Sequence, residues 1–193
     1  MLFRSAVSSL LQVHHLEPSS KVNGPGQRAV VWLQGCTLAC PGCFNPLTHP
    51  ASGGASYAAD AVFQWIRSLP PETTGLTFSG GEPLQQLRPL IQLLQQVRAS
   101  TSLSVILFTG YTWEEVQKMP QASALINLID VCIAGRYQEA SRLAHHLAGS
   151  ANKTFHFLTS RYSPADFEQV EQAEIILAPD GEIRISGINP PVL

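Results

Sequence analysis

The sequence predicts an α/β protein: a parallel sheet with crossover helices, followed by a C-terminal strand extension. Three observations carry that reading. Short apolar, β-prone runs at 29–33, 75–78, 103–108 and 129–133 alternate with stretches of helical period at 57–69, 87–97 and 112–119, the pattern of parallel strands joined by helices. From Lys153 the character changes: 153–159 and 173–177 read as strands, and Asp180-Gly181 between Ile175-Ile176-Leu177 and Ile183-Arg184-Ile185 is a strong hairpin signal. The 193 residues, 45% of them apolar, suit one domain over 1–193, with a core at about 11–152 and a β-rich extension at about 153–193.

Taken in order, a first strand is expected around 10–16. Residues 19–27, centred on Asn23-Gly24-Pro25-Gly26, are turn chemistry: glycines that tolerate positive φ flank a proline that fixes its own. They feed the strand 29–33, and from its C-terminal end leaves Gln34-Gly35-Cys36-Thr37-Leu38-Ala39-Cys40-Pro41-Gly42-Cys43-Phe44-Asn45. That loop runs on through Pro46, Pro50, Gly53 and Gly54. Ala58, Ala61, Val62, Trp65, Ile66 and Leu69 then share one face of a helix that Pro70-Pro71 ends. Strand 75–78 runs into Gly80-Gly81-Glu82, after which Leu87, Leu90, Ile91, Leu94 and Val97 repeat the helical period. Beyond strand 103–108, Thr112 with Glu115 three residues on makes a capping box for a helix to about Met119. Strand 129–133 follows, and a short helix is expected to start at Ser163. Function in such folds gathers at the C-terminal ends of the strands, where the cysteine loop and Gly80-Gly81-Glu82 both fall.

Three of the four cysteines lie within eight residues. Thiols that close converge on something, and the candidates are an iron-sulfur cluster and a zinc ion. Structural zinc takes four protein ligands, usually as two pairs, whereas a four-iron cluster on three thiolates keeps one iron open. Three local thiols favour the cluster; His49 completing a three-cysteine, one-histidine zinc site is the alternative. Cys132, in the apolar run 128–134, reads as a buried structural thiol.

Cysteines at intervals of three and two after a strand resemble the cluster motif of the radical S-adenosylmethionine (radical SAM) enzymes. Asn23-Gly24-Pro25-Gly26, Gln34-Gly35-Cys36 and Cys40-Pro41-Gly42-Cys43-Phe44-Asn45-Pro46 resemble their activating-protein branch, most closely the activators of anaerobic ribonucleotide reductase. Ser79-Gly80-Gly81-Glu82-Pro83-Leu84 is similar to that family's methionine-binding segment; Thr109-Gly110-Tyr111-Thr112 and Gly149-Ser150-Ala151-Asn152 are weaker matches. The resemblance implies an incomplete β/α barrel, open on one side. It implies that Cys36, Cys40 and Cys43 hold a [4Fe-4S] cluster whose fourth iron chelates S-adenosylmethionine, and that reduction cleaves the sulfonium to a 5'-deoxyadenosyl radical. No side chain need act as a general acid or base. Gly80 and Gly81 would let backbone approach the methionine moiety, Glu82 would accept from its ammonium, and Gly42 and Phe44 would contact the adenine side. Without the cysteines, Gly80-Gly81-Glu82 reads as an ordinary strand-to-helix turn.

The expected activity is generation of a glycyl radical on a partner such as anaerobic ribonucleotide reductase, fed by an electron donor such as flavodoxin or ferredoxin. The alternatives are a radical SAM enzyme acting on a small molecule or peptide, and a non-catalytic zinc or iron-sulfur module. Two departures stand out: Gly42 replaces the aromatic residue most radical SAM enzymes carry before the third cysteine, as in the reductase activators, and Ala134 stands where those activators often carry an acid. Asn152 and Arg161, with His14, His15, His145 and His146, read as structural or solvated.

Composition narrows the partners. Charged residues are only 13%, about half the usual ~25%, and the formal net charge of -2 gives no electrostatic reason to expect nucleic acid or an acidic membrane. No run reaches the ~20 apolar residues that cross a bilayer. The Ser-rich stretch 1–15 lacks a secretory cleavage pattern, so the expected compartment is cytoplasmic.

Overall fold

In the computed structural model, which describes residues 10–143, 147–177 and 181–188, the sheet grows outward from one long-range pairing. β2 (Arg28–Leu33) lies parallel to β4 (Gly75–Gly80), in register from Arg28 opposite Gly75 to Leu33 opposite Gly80. β5 (Ser104–Thr109) and β6 (Val131–Ala134) continue the parallel run. These central strands are apolar on both faces, with Val30, Val31, Leu76, Ile106 and Leu107 fully buried, as expected of parallel strands covered on each side. Antiparallel strands flank them: β1 (Leu10–Ser20) and β3 (Ala55–Ala58) beyond β2, and β7 (Thr154–Phe157) beyond β6. The result is a seven-stranded mixed sheet in the order β3-β1-β2-β4-β5-β6-β7.

Helices α1 (Ala59–Arg67), α2 (Leu87–Ser100), α3 (Trp113–Lys118) and α4 (Ala122–Ile126) follow the strands. Val62, Ile66, Leu90, Leu94 and Val97 join Val31, Leu33, Leu76, Phe78, Val105 and Leu107 in the main core. Alternate residues of the same strands face the other way. Ile106, Val131 and Ile133 meet Leu147 and Phe167, the latter on α5 (Pro164–Glu168). The capping box at Thr112 and Glu115 is present, and a second one at Ser163 and Asp166 starts α5.

One expectation on element limits needs correction, and one helix was not expected. The helix expected from Tyr57 starts at Ala59, because 55–58 pair as an edge strand with Leu10–Val13; a backbone committed to that ladder cannot also close helical bonds. Helix α4 had no sequence signal, since five residues are too few to show a period. The hairpin of β8 (Ala173–Leu177) and β9 (Ile183–Gly187) forms a separate two-stranded sheet. Asp180 of the expected turn, His145, His146 and residues 1–9 of the N-terminal stretch lie outside the described residues. Among the described residues no helix is long and apolar enough to cross a membrane.

Polar anchoring is concentrated at the amino ends of the parallel strands. Arg28, fully buried, donates to Thr77 Oγ1, Ser104 Oγ, Pro25 O and the Leu76 carbonyl and meets the Tyr162 hydroxyl. Asp130, 3% exposed, accepts from Arg98, Thr159 and the Val105 amide. The carboxyl ends are thereby left for loops.

Candidate functional site

The cysteine loop is a closed ring of backbone. Gln34, 2% exposed, reaches across its base and donates Nε2 to the carbonyls of Leu47 (3.2 Å) and Pro50 (2.7 Å), while its Oε1 meets His14 Nδ1 at 2.8 Å. Gly35 N donates to Thr48 O at 2.7 Å and Cys36 N to His49 O at 3.0 Å. Within this ring Cys36, Cys40 and Cys43 are free thiols of intermediate exposure, and all three line one cleft. Ala39 holds φ 47° just before Cys40, a left-handed conformation that costs a residue with a β carbon about 1–2 kcal/mol.

Gly80-Gly81-Glu82 lies alongside because the parallel ladder continues past the strand ends. Gly81 N donates to Leu33 O at 2.7 Å and Glu82 N to Gly35 O at 2.9 Å. A β carbon on Gly80 (φ 97°) would sit 2.6 Å from backbone atoms of Leu33, and one on Gly81 would overlap the Gly35 carbonyl. These glycines are therefore already required by the approach of two backbones, independently of any ligand. Glu82, 1% exposed, accepts from Leu84 N (2.9 Å), Thr109 Oγ1 (2.8 Å) and Gly110 N (2.7 Å). Burial pushes its carboxyl up, and those three donors work against the shift. Glu82 thus ties the end of β4 to the end of β5 and to its own turn.

The next strand ends complete the wall. Leu38, at the tip of the cysteine loop, packs against Gly110, and Gln85 donates to Thr37 Oγ1 at 2.7 Å while accepting from Thr37 N at 3.2 Å. Phe44 packs on Tyr137 with ring centroids 4.6 Å apart, Arg142 lies 5.3 Å over its ring, and Gly149 is so near that a β carbon there would stand 2.8 Å from it. Gly42 adopts φ 67°, and a β carbon on it would lie 2.7 Å from the Glu139 carboxyl carbon, a local reason for the missing aromatic side chain before Cys43. The cleft takes in Cys36, Cys40, Cys43, Phe44, His49, Gly80, Gly81, Glu82 and Lys153. Of the residues expected to hold the cluster or S-adenosylmethionine, all line it except Gly42, which stands against the Glu139 carboxyl.

Other readings resolve simply. Cys132 is fully buried in β6, its thiol pushed up to about 12 by burial. Asn152 donates to Arg136 O and Arg161 to Ser102 O, both structural. Ala134 is buried at the end of β6. Lys153, Leu38 and Tyr137 are the residues that sequence reasoning missed. For Lys153 the available signal was its place directly after Gly149-Ser150-Ala151-Asn152.

Among the described residues no three His, Cys, Asp or Glu side chains converge on a single-ion position. Three loop thiols are one ligand fewer than structural zinc takes and leave one iron of a four-iron cluster open, so the loop suits a cluster better than a zinc ion. Burial raises the Cys36 thiol, and Glu82 adds to the shift; a positive iron centre is what would offset both.

Comparison with known proteins agrees. The family described as a 4Fe-4S single cluster domain matches residues 22–156. An anaerobic ribonucleoside-triphosphate reductase-activating protein of Vibrio cholerae is 33% identical over 156 residues, covering 77% of this chain and 99% of the relative. One from Haemophilus influenzae is 34% identical over 146 residues, 72% of this chain and 93% of the relative. A pyruvate formate-lyase-activating enzyme of Clostridium pasteurianum is 31% identical over 138 residues, 65% of this chain and 58% of the relative. Fold, loop and family together define an iron-sulfur enzyme of the radical SAM type, with a [4Fe-4S] cluster and S-adenosylmethionine as cofactors. More narrowly, the chain belongs to the family of anaerobic ribonucleoside-triphosphate reductase-activating proteins.

Proposed function

We propose that this chain generates a glycyl radical on a partner enzyme, with an anaerobic ribonucleotide reductase as that partner. One observation carries the reading: three free thiols on a closed loop share a cleft with Gly80-Gly81-Glu82, at the carboxyl ends of adjacent parallel strands. The relatives' names point to the same class of partner. Cys36, Cys40 and Cys43 hold the cluster. The backbone of Gly80 and Gly81 would take the methionine part of S-adenosylmethionine, and Phe44, packed on Tyr137 and Gly149, would with Gly42 take the adenine side. Glu82 contributes mainly by holding this wall in place, because its three accepted hydrogen bonds already occupy much of the carboxylate. Bound together, the cluster and S-adenosylmethionine supply one-electron cleavage of the sulfonium to a 5'-deoxyadenosyl radical. The protein's own share is to position both groups and to keep water from the cleft, whose walls include Trp32, Phe108 and Leu147.

In this reading the electron comes from a small carrier such as flavodoxin or ferredoxin, and the setting is cytoplasmic, where thiols stay reduced. The seven-stranded sheet is the wall of an open β/α barrel, and residues 1–193 act as one unit whose β-rich end closes the cleft. The test is anaerobic reconstitution with iron and sulfide, then incubation with S-adenosylmethionine, reductant and the reductase. A glycyl doublet in electron paramagnetic resonance is expected, and Cys36→Ala, Cys40→Ala and Cys43→Ala should each abolish it together with most of the bound iron. Formation of 5'-deoxyadenosine without a doublet would shift the reading to a small-molecule or peptide substrate.

A further inference from the structure

Lys153 is a cation set in the cleft beside Glu82 and the three thiols. It precedes β7, its stem lies over Gly135 at the end of β6, and it lines the cleft with all three thiols and Glu82. Among the described residues lining that cleft it is the one Lys or Arg. Its ammonium makes no hydrogen bond or ion pair among the described residues, although it is partly buried. Arg136, the cation of the neighbouring segment, is committed elsewhere, with bonds of 2.7 and 3.1 Å to Glu115. Burial disfavours charge on Lys153, and Glu82, Cys40 and Cys43 favour it, so the surrounding field is negative. An ammonium withdrawn from water without a partner is costly, and the arrangement is stabilised when more negative charge arrives in the cleft.

We infer that Lys153 sets the reduction potential of the cluster, making the added electron easier to accept. The inference rests on the cluster being held by Cys36, Cys40 and Cys43. Reduction adds one negative charge beside three thiolates and a buried carboxylate, with no bond made or broken. Net charge and local solvation are among the factors that fix such potentials, and a positive charge in a weakly screened cleft acts strongly. Lys153 is in this sense a positioning residue for charge and touches no reacting atom.

The test is a dithionite titration of the reconstituted protein without S-adenosylmethionine, read by electron paramagnetic resonance, for the parent and for Lys153→Met, Lys153→Gln and Lys153→Arg. At the potential where half of the parent clusters are reduced, the Met and Gln variants should show an about tenfold lower ratio of reduced to oxidised cluster, equivalent to ~59 mV for one electron. Lys153→Arg, which keeps the charge, should stay within about twofold. Parent-like potentials in both neutral variants would overturn the inference; if affinity for S-adenosylmethionine alone had fallen, the ammonium would instead belong to the ligand's carboxylate. A variant that binds iron as the parent does remains a fair test even with lowered thermal stability. Failure of the parent itself to assemble a cluster would sink the reading of the cysteines, a different result from an unshifted potential.

Discussion

At the scale of single residues, the amino and carboxyl ends of the parallel strands divide the work. Asp130 shows what the amino end does: one carboxylate, 4% exposed as a side chain, meets Arg98 at 2.8 Å, the Val105 amide at 2.7 Å and Thr159 at 2.8 Å. Burial alone would raise its carboxyl, but Arg98, Val105 and Thr159 outweigh burial and hold it below the ordinary value. A depressed carboxyl contributes stability that is complete above its unfolded value of about 3.9 and is lost as pH falls through the lower folded value. Asp130→Asn should therefore lower stability at pH 7 by on the order of 3 kcal/mol and weaken the dependence of stability on pH below about 4. Denaturant unfolding of the cluster-free protein at pH 7 and pH 3 measures both. A variant whose loss is as large at pH 3 as at pH 7 would show that packing, not ionisation, holds this corner. Gly80 and Gly81 are the corresponding case at the other end: their lack of a β carbon answers first to the backbones of Leu33 and Gly35, so Gly81→Ala harms the loop's seat before it harms any ligand.

At the scale of elements, the cysteine loop is held by its base, and Gln34 is the cross-piece. Replacing it by Ala strands the carbonyls of Leu47 and Pro50 and removes the contact to His14. Gln34→Ala should cost about 2 kcal/mol and let the ring open, so that iron is lost to a chelator faster than from the parent. Unchanged iron retention with lowered melting temperature would mean that the thiols keep their places without the cross-piece. Much of this element was legible in the sequence. The strand and the three cysteines after it were readable because strand period and thiol spacing are local signals, and the structure seats all three thiols in one cleft. Gln34's long-range bonds were not legible, since residues 47 and 50 meet it only after the loop closes. The same physics explains β3: Tyr57 fits a helical period, and only pairing with β1 makes it a strand residue. Lys153 escaped notice for a related reason: its place directly after Gly149-Ser150-Ala151-Asn152 was the one local signal, and it reads equally as a lysine at a strand start. Its meaning comes from the antiparallel return of β7, which sets Thr154 opposite Ala134 and brings the preceding lysine to the cleft.

At the scale of the whole molecule, the β8–β9 hairpin lies beyond the residues matched by the cluster-domain family, yet Gly187 and Ile188 line the cleft. Its attachment is polar and incompletely satisfied. Arg184 approaches Glu17 at 3.5 Å and His15 at 3.5 Å, Glu174 accepts from Lys21 N at 2.9 Å, and Asn23 donates to Ser186 at 3.2 Å. Among the described residues, the buried Arg184 Nε and Glu174 Oε1 have no partner. An element held by a few partly solvated polar contacts opens more readily than a core strand, so the hairpin should behave as a separately opening wall of the cleft. Arg184→Met should raise hydrogen exchange of the 173–187 amides by about fivefold, corresponding to ~1 kcal/mol for one partly exposed ion pair, while amides of β4 and β5 stay as in the parent. In the reconstituted protein the same change should speed iron loss to a chelator, because the wall carrying Gly187 and Ile188 is open more often. Equal acceleration in the hairpin and in β4 would mean that the hairpin unfolds only with the core, and faster exchange without faster iron loss would mean that it does not screen the cluster.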